Sequence, residues 1–358
     1  MRSFVLGAAF AAALSTSAFA DGNTIAKNHA PIGVMGDHMH KQGEVMFSYR
    51  FMRMDMEGAR IGADPVSPDT IVTTVPNRFA GAPMQPPTLR VVPLQMTMDM
   101  HMLGAMYAPA DWLTLMAMGS VFSNGMDHVT YQGGLGTAVL GNFRTESSGF
   151  GDTQVTGLVR LFESDAIGTR HRAHLNLGLS LPTGSITETD QILTPLGTTP
   201  TPRLPYPMQL GSGTFDLRPG VTYTGASEEF SWGAQYQATL RTGENDEGYT
   251  LGDRHDATAW AQWGPASWIA FSGRVAFRTQ DRIDGIDPLT AAPVQTANPD
   301  FQGGERIDVG AGVNFAGQHG LIEGHRLAVE ILFPVYQDLN GPQLETDWTL
   351  TVGWQRAF

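Results

Sequence analysis

Sulfur and imidazole crowd into the first third of this chain. The segment MGDHMHK (35–41) sets His38 and His40 two residues apart around Met39, with Met35 and Asp37 close by. Thioethers and imidazoles are the soft and borderline ligands that copper favours. A two-residue spacing places both imidazoles on one side of an extended chain, where a bent backbone lets them share an ion. Met35, His38, Met39 and His40 are therefore the candidate metal ligands, and copper is the candidate metal. The methionines continue through FMRMDM (51–56), QMTMDMHMLGAM (95–106), LMAMGS (115–120) and GMDH (125–128). Methionine is also a flexible apolar filler, and DHMHK also reads as a solvated leader, so both readings stand. Catalysis has less to build on. Asp99, His101, Asp127 and His128 offer acid–base groups, and Ser120 and Ser123 offer hydroxyls. No G-x-S-x-G elbow fixes a nucleophile against a base. No catalytic residue is assigned, and the chain is expected not to be an enzyme.

The elements that would hold these residues are strands. In Trp348–Phe358, Trp348, Leu350, Val352 and Trp354 share one face, while Thr349, Thr351, Gly353 and Gln355 share the other. One greasy face and one small polar face suit a closed barrel with lipid outside. The terminal aromatic, Phe358, resembles the assembly signal of bacterial outer-membrane proteins and implies the barrel-assembly machinery as a partner. Arg356 departs from that signal, being a charge on the greasy face. At the membrane edge its guanidinium reaches headgroups or water.

The opposite end is a secretory signal. Arg2 precedes an apolar run, Phe4–Leu14, and Ala18-Phe19-Ala20 offers a small-x-small cleavage site. Residues 1–20 read as the signal peptide, 21–42 as a periplasmic leader with the His/Met cluster, and 43–358 as the barrel. No later run reaches the about 18 apolar residues of a spanning helix. The chain has no cysteine, so a disulfide framework and thiolate metal sites are excluded. A net charge of −13 argues against nucleic acid as a partner. The 42 glycines suit an all-β chain with many turns.

Apolar–polar alternation between Gly, Pro, Asn and Asp clusters gives twelve strands: 43–56, 93–107, 111–122, 150–163, 170–181, 213–225, 230–241, 255–263, 267–278, 305–315, 324–335 and 345–358. Their connections alternate in length. Residues 57–92, 123–149, 182–212, 242–254, 279–304 and 336–344 form the longer ones; 108–110, 164–169, 226–229, 264–266 and 316–323 form the shorter turns. That rhythm predicts one antiparallel transmembrane β-barrel in the outer membrane of a Gram-negative cell. With an even strand count, both termini fall in the periplasm.

Parity then assigns the interior. A charge at mid-membrane on the lipid face costs roughly 2–4 kcal/mol, so the polar sets must point inward. They are Arg50, Arg172, Asp216, Arg218, Gln235, Gln237, Arg241, Arg274, Arg306, Asp308, Arg326 and Glu330, with Arg160 in the same inventory. Such a lumen is either a solvated path that attracts anionic solutes or a barrel closed by Arg–carboxylate pairs. The methionines of strands 43–56 and 111–122 accompany Ser48, Arg50, Thr114 and Ser120, and should face inward. For Met96, Met98, Met100 and Met102, parity opposes Asp99 and His101. Desolvation at membrane depth would put that acid and imidazole inside and the methionine stripe in lipid.

The segments FGDTQVTGLVRLF (150–162), GLSLPTGSI (178–186), QLGSGTFDLRPGVTY (209–223) and FPVYQDLNGPQLETDWTLTVGWQRAF (333–358) resemble the phenol-degradation meta-pathway transporter family of outer-membrane proteins. The likeness runs from about residue 43 to the end of the chain. It implies a β-barrel transporter of hydrophobic or aromatic compounds, with no catalytic residue and no defined substrate. The expectation is thus an outer-membrane channel for small solutes, in contact with membrane lipid. A copper-handling barrel built on the Met/His clusters is the alternative, and a barrel that conducts nothing is a third reading.

Overall fold

The computed structural model describes residues 25–166 and 168–358. The expected signal peptide, residues 1–20, and the mature start at Asp21 lie outside them. In chain order the strands are β1 (Val45–Gly62), β2 (Asp64–Val66), β3 (Val91–Ala110), β4 (Leu113–Tyr131), β5 (Val139–Phe150), β6 (Thr153–Ala166), β7 (Thr169–Leu181), β8 (Asp216–Ala226) and β9 (Phe230–Arg241). They continue as β10 (Tyr249–Thr250), β11 (Arg254–Ala266), β12 (Ile269–Gln280), β13 (Asp284–Gly285), β14 (Gly304–Ala316) and β15 (His325–Ala357). One short helix, α1 (Pro68–Thr74), sits between β2 and β3. Ser67 caps it by accepting from Thr70 N, and Pro68 opens it where no backbone donor is needed.

Antiparallel pairing runs β1–β3–β4–β6–β7–β8–β9–β11–β12–β14–β15 and returns from β15 to β1, so the sheet closes. The last element is two staves in one. Its first part, Arg326–Leu339, pairs β14, and its second part, up to Ala357, pairs β1. Arg326 binds Gln355 and Gln337 binds Thr346, as two antiparallel arms require. Counted by arms, the ring has the twelve staves that alternation predicts. Closure matters energetically because an open edge would leave unpaired backbone groups in hydrocarbon.

Two stretches read as loops are strand. Residues 123–149 continue β4 to Tyr131 and return as β5, which pairs its far half from Val121↔Phe150 to Tyr131↔Val139. Residues 336–344 lie within β15. In both places the strands rise past the apolar band, where the outer face meets water. Asp127 and Arg144 pair there on the outside. The alternation that marks a membrane strand disappears, but the ladder does not.

The two ends of the barrel differ. Short turns join β3–β4, β6–β7, β8–β9, β11–β12 and β14–β15 at one end, where β1 also starts and β15 also finishes. Val45 O accepts from Phe358 N at 2.8 Å, so the start of β1 meets the last residue there. Long connections fill the other end. Ile71 and Val72 of α1 pack with Leu89, Val92, Val129 and Tyr131, and Phe301 joins them from the β13–β14 connection. Tyr206, Tyr249 and Ile283 form a second cluster from three separate loops. This mouth is roofed by apolar contacts.

Candidate functional site: a plugged lumen with two unlike walls

Residues 25–44 precede β1; 26–40 run inside the barrel, and 41–43 are exposed at the short-turn end. Ala26, His29, Ala30, Ile32, Val34, Asp37 and His40 are all buried. An extended segment with no strand beside it must satisfy its backbone from the walls. Ala26 N reaches Ser267 O at 2.8 Å, and Ser231 Oγ donates to Lys27 O at 2.6 Å. His29 O accepts from Gln262 Nε2 at 2.6 Å and from Asn314 Nδ2 at 3.1 Å. Arg326 donates to Ala30 O. Gln235 Nε2 donates to Met35 O at 2.9 Å, and His174 Nε2 pairs with Gly36 O at 2.8 Å. Gly33 N donates to Glu330 Oε2 at 3.0 Å, and His40 N to Thr114 Oγ1 at 3.0 Å. The plug is thus held by polar side chains of β4, β7, β9, β11, β14 and β15.

Two glycines make this fit. A Cβ at Gly33 would meet Glu330 Oε2 at 2.2 Å and Arg274 Nη1 at 2.8 Å. Gly36 has φ of 63°, the left-handed region that glycine adopts without strain. It turns the chain so that Asp37 Oδ2 accepts from Ala30 N at 2.8 Å.

One inner wall is methionine. β1 contributes Met46, Met52, Met54 and Met56; β3 contributes Met96, Met98, Met100, Met102 and Met106; β4 contributes Met116, Met118 and Met126. Register aligns them in rows. Met46, Met106 and Met116 face one another across three strands, as do Met56, Met96 and Met126. The stripe on β3 therefore points inward, and the desolvation argument that put it in lipid fails. Met96 and Met102 are buried, whereas His101 is exposed. Asp99 and His101 escape the cost because each has an outer-face partner. Arg53 binds Asp99 through two hydrogen bonds of 2.8 and 2.9 Å, and Tyr49 Oη meets His101 Nδ1 at 2.8 Å. The same Tyr–His pair recurs as Tyr223–His171 and Tyr236–His255, both at 2.7 Å.

The facing wall is charged. All twelve residues assigned inward by parity share the inner faces of their strands, and most are locked in pairs. Arg241 binds the fully buried Asp216, which also accepts from Thr214 Oγ1 at 2.6 Å. Arg274 faces Glu330 at 3.3 Å, and Arg306 faces Asp308 at 3.0 Å. Arg218 Nη2 donates to Gln237 at 3.3 Å. Arg50 and Arg326 turn to the plug instead. Arg172 and Arg160 both bind Glu163 beside the plug. The inventory lacked the most tightly tied group of all: Asp256 accepts from Arg254 at 2.9 Å and from Arg278 at 2.7 Å. Its strand carries Arg254, Asp256, Thr258, Trp260 and Gln262 inward, a polar set that strict alternation would have given.

The candidate metal ligands are divided. His38, Met39 and His40 border a cavity of about 530 Å³ at the short-turn end, between the plug and β6–β7. Met35 instead accepts from Gln235 across the lumen through its carbonyl. Two further plug residues, His29 and Asp37, line the cavity as well. Burial alone would raise the Asp37 carboxyl, but His38, Arg326 and His29 hold it well below the usual carboxylate range. Burial pushes the His40 imidazole down, against an opposing hydrogen bond to Glu44. The acid–base candidates do not assemble. Asp99 is held by Arg53, Asp127 by Arg144, and His128 stacks on Phe143 at 4.6 Å.

A closed antiparallel barrel with an apolar outer band, polar inner faces and one loop-covered end has outer-membrane barrel architecture. The solved structure of an outer membrane channel from Pseudomonas putida F1 shares it: TM-score 0.57 at 13% identity, covering 91% of this chain and 99% of that one. A Pseudomonas aeruginosa FadL homologue gives 0.43 at 9% identity, covering 88% and 90%. The transport unit of the Escherichia coli autotransporter AIDA-I gives 0.45 at 10% identity, covering 91% and 93%. At these identities the likeness is one of fold. No protein-family model matches the chain, and no curated protein matches it in sequence.

Proposed function

We propose that this protein is an outer-membrane channel for small solutes, hydrophobic or aromatic ones included, with residues 25–44 as its internal gate. One observation carries the reading. The lumen is wide enough to hold an extended chain segment, and that segment is fastened by separable hydrogen bonds and by small apolar contacts of Ala26, Ala30, Val34 and Met39 with the walls. Each such bond contributes about 0.5–1.5 kcal/mol net, and none of them belongs to the ladders that close the ring, so releasing the plug breaks no strand pairing. The outer-membrane channel from Pseudomonas putida shares the fold, and the family resemblance of residues 150–223 favours hydrophobic or aromatic cargo. Short turns and both termini then face the periplasm, the roofed mouth faces outward, and the protein reaches this membrane through a cleaved signal peptide. Phe358 serves the assembly machinery. Lipid meets the outer band of Phe47, Leu103, Leu177, Phe271 and Phe333.

Planar-bilayer recording tests the gate. The mature barrel should pass little current, and a variant lacking residues 21–40 should open stable, larger steps. Equal and negligible conductance from both, with folded barrel confirmed by heat-modifiable migration, would leave a sealed structural barrel.

A further inference from the structure

The plug holds two carboxylate–imidazole units side by side. Asp37 Oδ1 meets His38 Nδ1 at 2.9 Å, and Glu44 Oε2 meets His40 Nδ1 at 3.1 Å. A carboxylate on Nδ1 fixes the tautomer with its proton there and leaves Nε2 as a bare donor of electrons, the arrangement that supports metal-bound histidines. No described residue hydrogen-bonds Nε2 of His38 or of His40, and both atoms are buried. His40 as a whole is 1% exposed. A buried acceptor left without a partner is unfavourable, so a plain packing role does not account for two of them in one cavity.

The rings converge. The His38 ring lies 5.0 Å from that of His29 and 5.0 Å from that of His40. One ligand atom from each of His29, Asp37 and His38 lies within 4.8 Å of the others. We propose that His29, His38 and His40, with Asp37 holding the His38 ring through Nδ1, bind a divalent transition-metal cation of borderline softness, copper(II) or zinc(II). Imidazole nitrogen disfavours the hard cations calcium and magnesium, which take oxygen ligands. An anion is disfavoured because Nε2 presents a lone pair; of the cavity's cations, Arg160 and Arg172 are paired with Glu163, while Lys27 donates to Ser227 O and Arg170 to Asn28 Oδ1. Met39 lines the same cavity and packs with Met46, Met106 and Met116, so thioether sulfurs flank the site on the methionine wall. The cation would tie residue 29 to residues 38 and 40, across the turn made by Gly33 and Gly36, and so fasten the gate in its folded shape.

The test uses the full mature chain, purified without a histidine tag and stripped with chelator. Calorimetric titrations with Cu(II), Zn(II) and Ca(II) should give one equivalent for copper or zinc and none for calcium. The double variant His29→Ala with His38→Ala should weaken binding by roughly tenfold or more, while His319→Ala, on an exposed turn, should not. Heat-modifiable migration checks that each variant is folded. Electron paramagnetic resonance of the wild-type copper complex reads the site without mutation and should show nitrogen coupling. Unchanged affinity in the folded double variant, equal binding of calcium, or a copper spectrum without nitrogen coupling would each overturn the proposal.

Discussion

The two walls of the lumen have the same topological position and opposite chemistry. On β1, β3 and β4 the inward face is thioether, laid in cross-strand rows. On β8, β9, β11, β12, β14 and β15 it is guanidinium and carboxylate, tied in pairs. The charged wall is rigid by pairing: each group restrains its neighbour, and removing one strands the other. The methionine wall has no such partners. Its side chains are unbranched and conform to whatever lies against them. One wall therefore sets the shape of the lumen, while the other adapts to its contents.

Removing one member of a pair should break the charged wall hardest. Glu330 is 1% exposed, faces Arg274 and accepts from Gly33 of the plug. Glu330→Ala leaves buried Arg274 unpaired and should destabilise the barrel by about 3–5 kcal/mol, read as a lower urea midpoint in detergent. Adding Arg274→Met should recover most of that loss, and no recovery would mean the pair is not the unit. The seam where the walls meet, β15 against β1, ends at Phe358. Deleting Phe358 removes its backbone bond to Val45 and its contact with Phe47, 6.2 Å between ring centres. Folded barrel in the outer membrane should fall; wild-type levels would sink the assembly role. The smallest effect belongs to the methionine wall. Met100→Leu with Met54→Leu keeps volume and polarity and should cost less than about 1.5 kcal/mol per site. A loss matching that of Glu330→Ala would show that the methionines are as tightly specified as the charges.

This contrast also explains what the sequence could show. Charges cannot face lipid cheaply, so parity placed Asp216, Arg241, Arg306 and Glu330 on the inner face from residue types alone. Methionine is indifferent to lipid and lumen, so its facing hung on Asp99 and His101. Those two misled because Arg53 and Tyr49, their cross-strand partners, are visible only once the β1–β3 register is known. The strands past the membrane band hid for a related reason. Along Asn124–Tyr131 loop residues cover the strand with mixed partners: Val129 and Tyr131 pack with Ile71 and Val72, while Thr130 Oγ1 donates to Leu193 O of a loop, so no alternation survives. The plug hid most completely. His38 and His40 stood out by spacing, but His29 joins them only through the fold of residues 29–38, and no sequence period announces a segment whose partners lie across the whole chain.

Those scattered partners bear on the order of folding. Residues 25–44 leave the ribosome before any stave does, yet their anchors reach from Thr114 to Glu330, the farthest 297 positions away. Contacts so distant in sequence cannot form until the loops between them have closed. The earliest-made part of the molecule is therefore the last to find its place, and its docking reports that the ring behind it is complete.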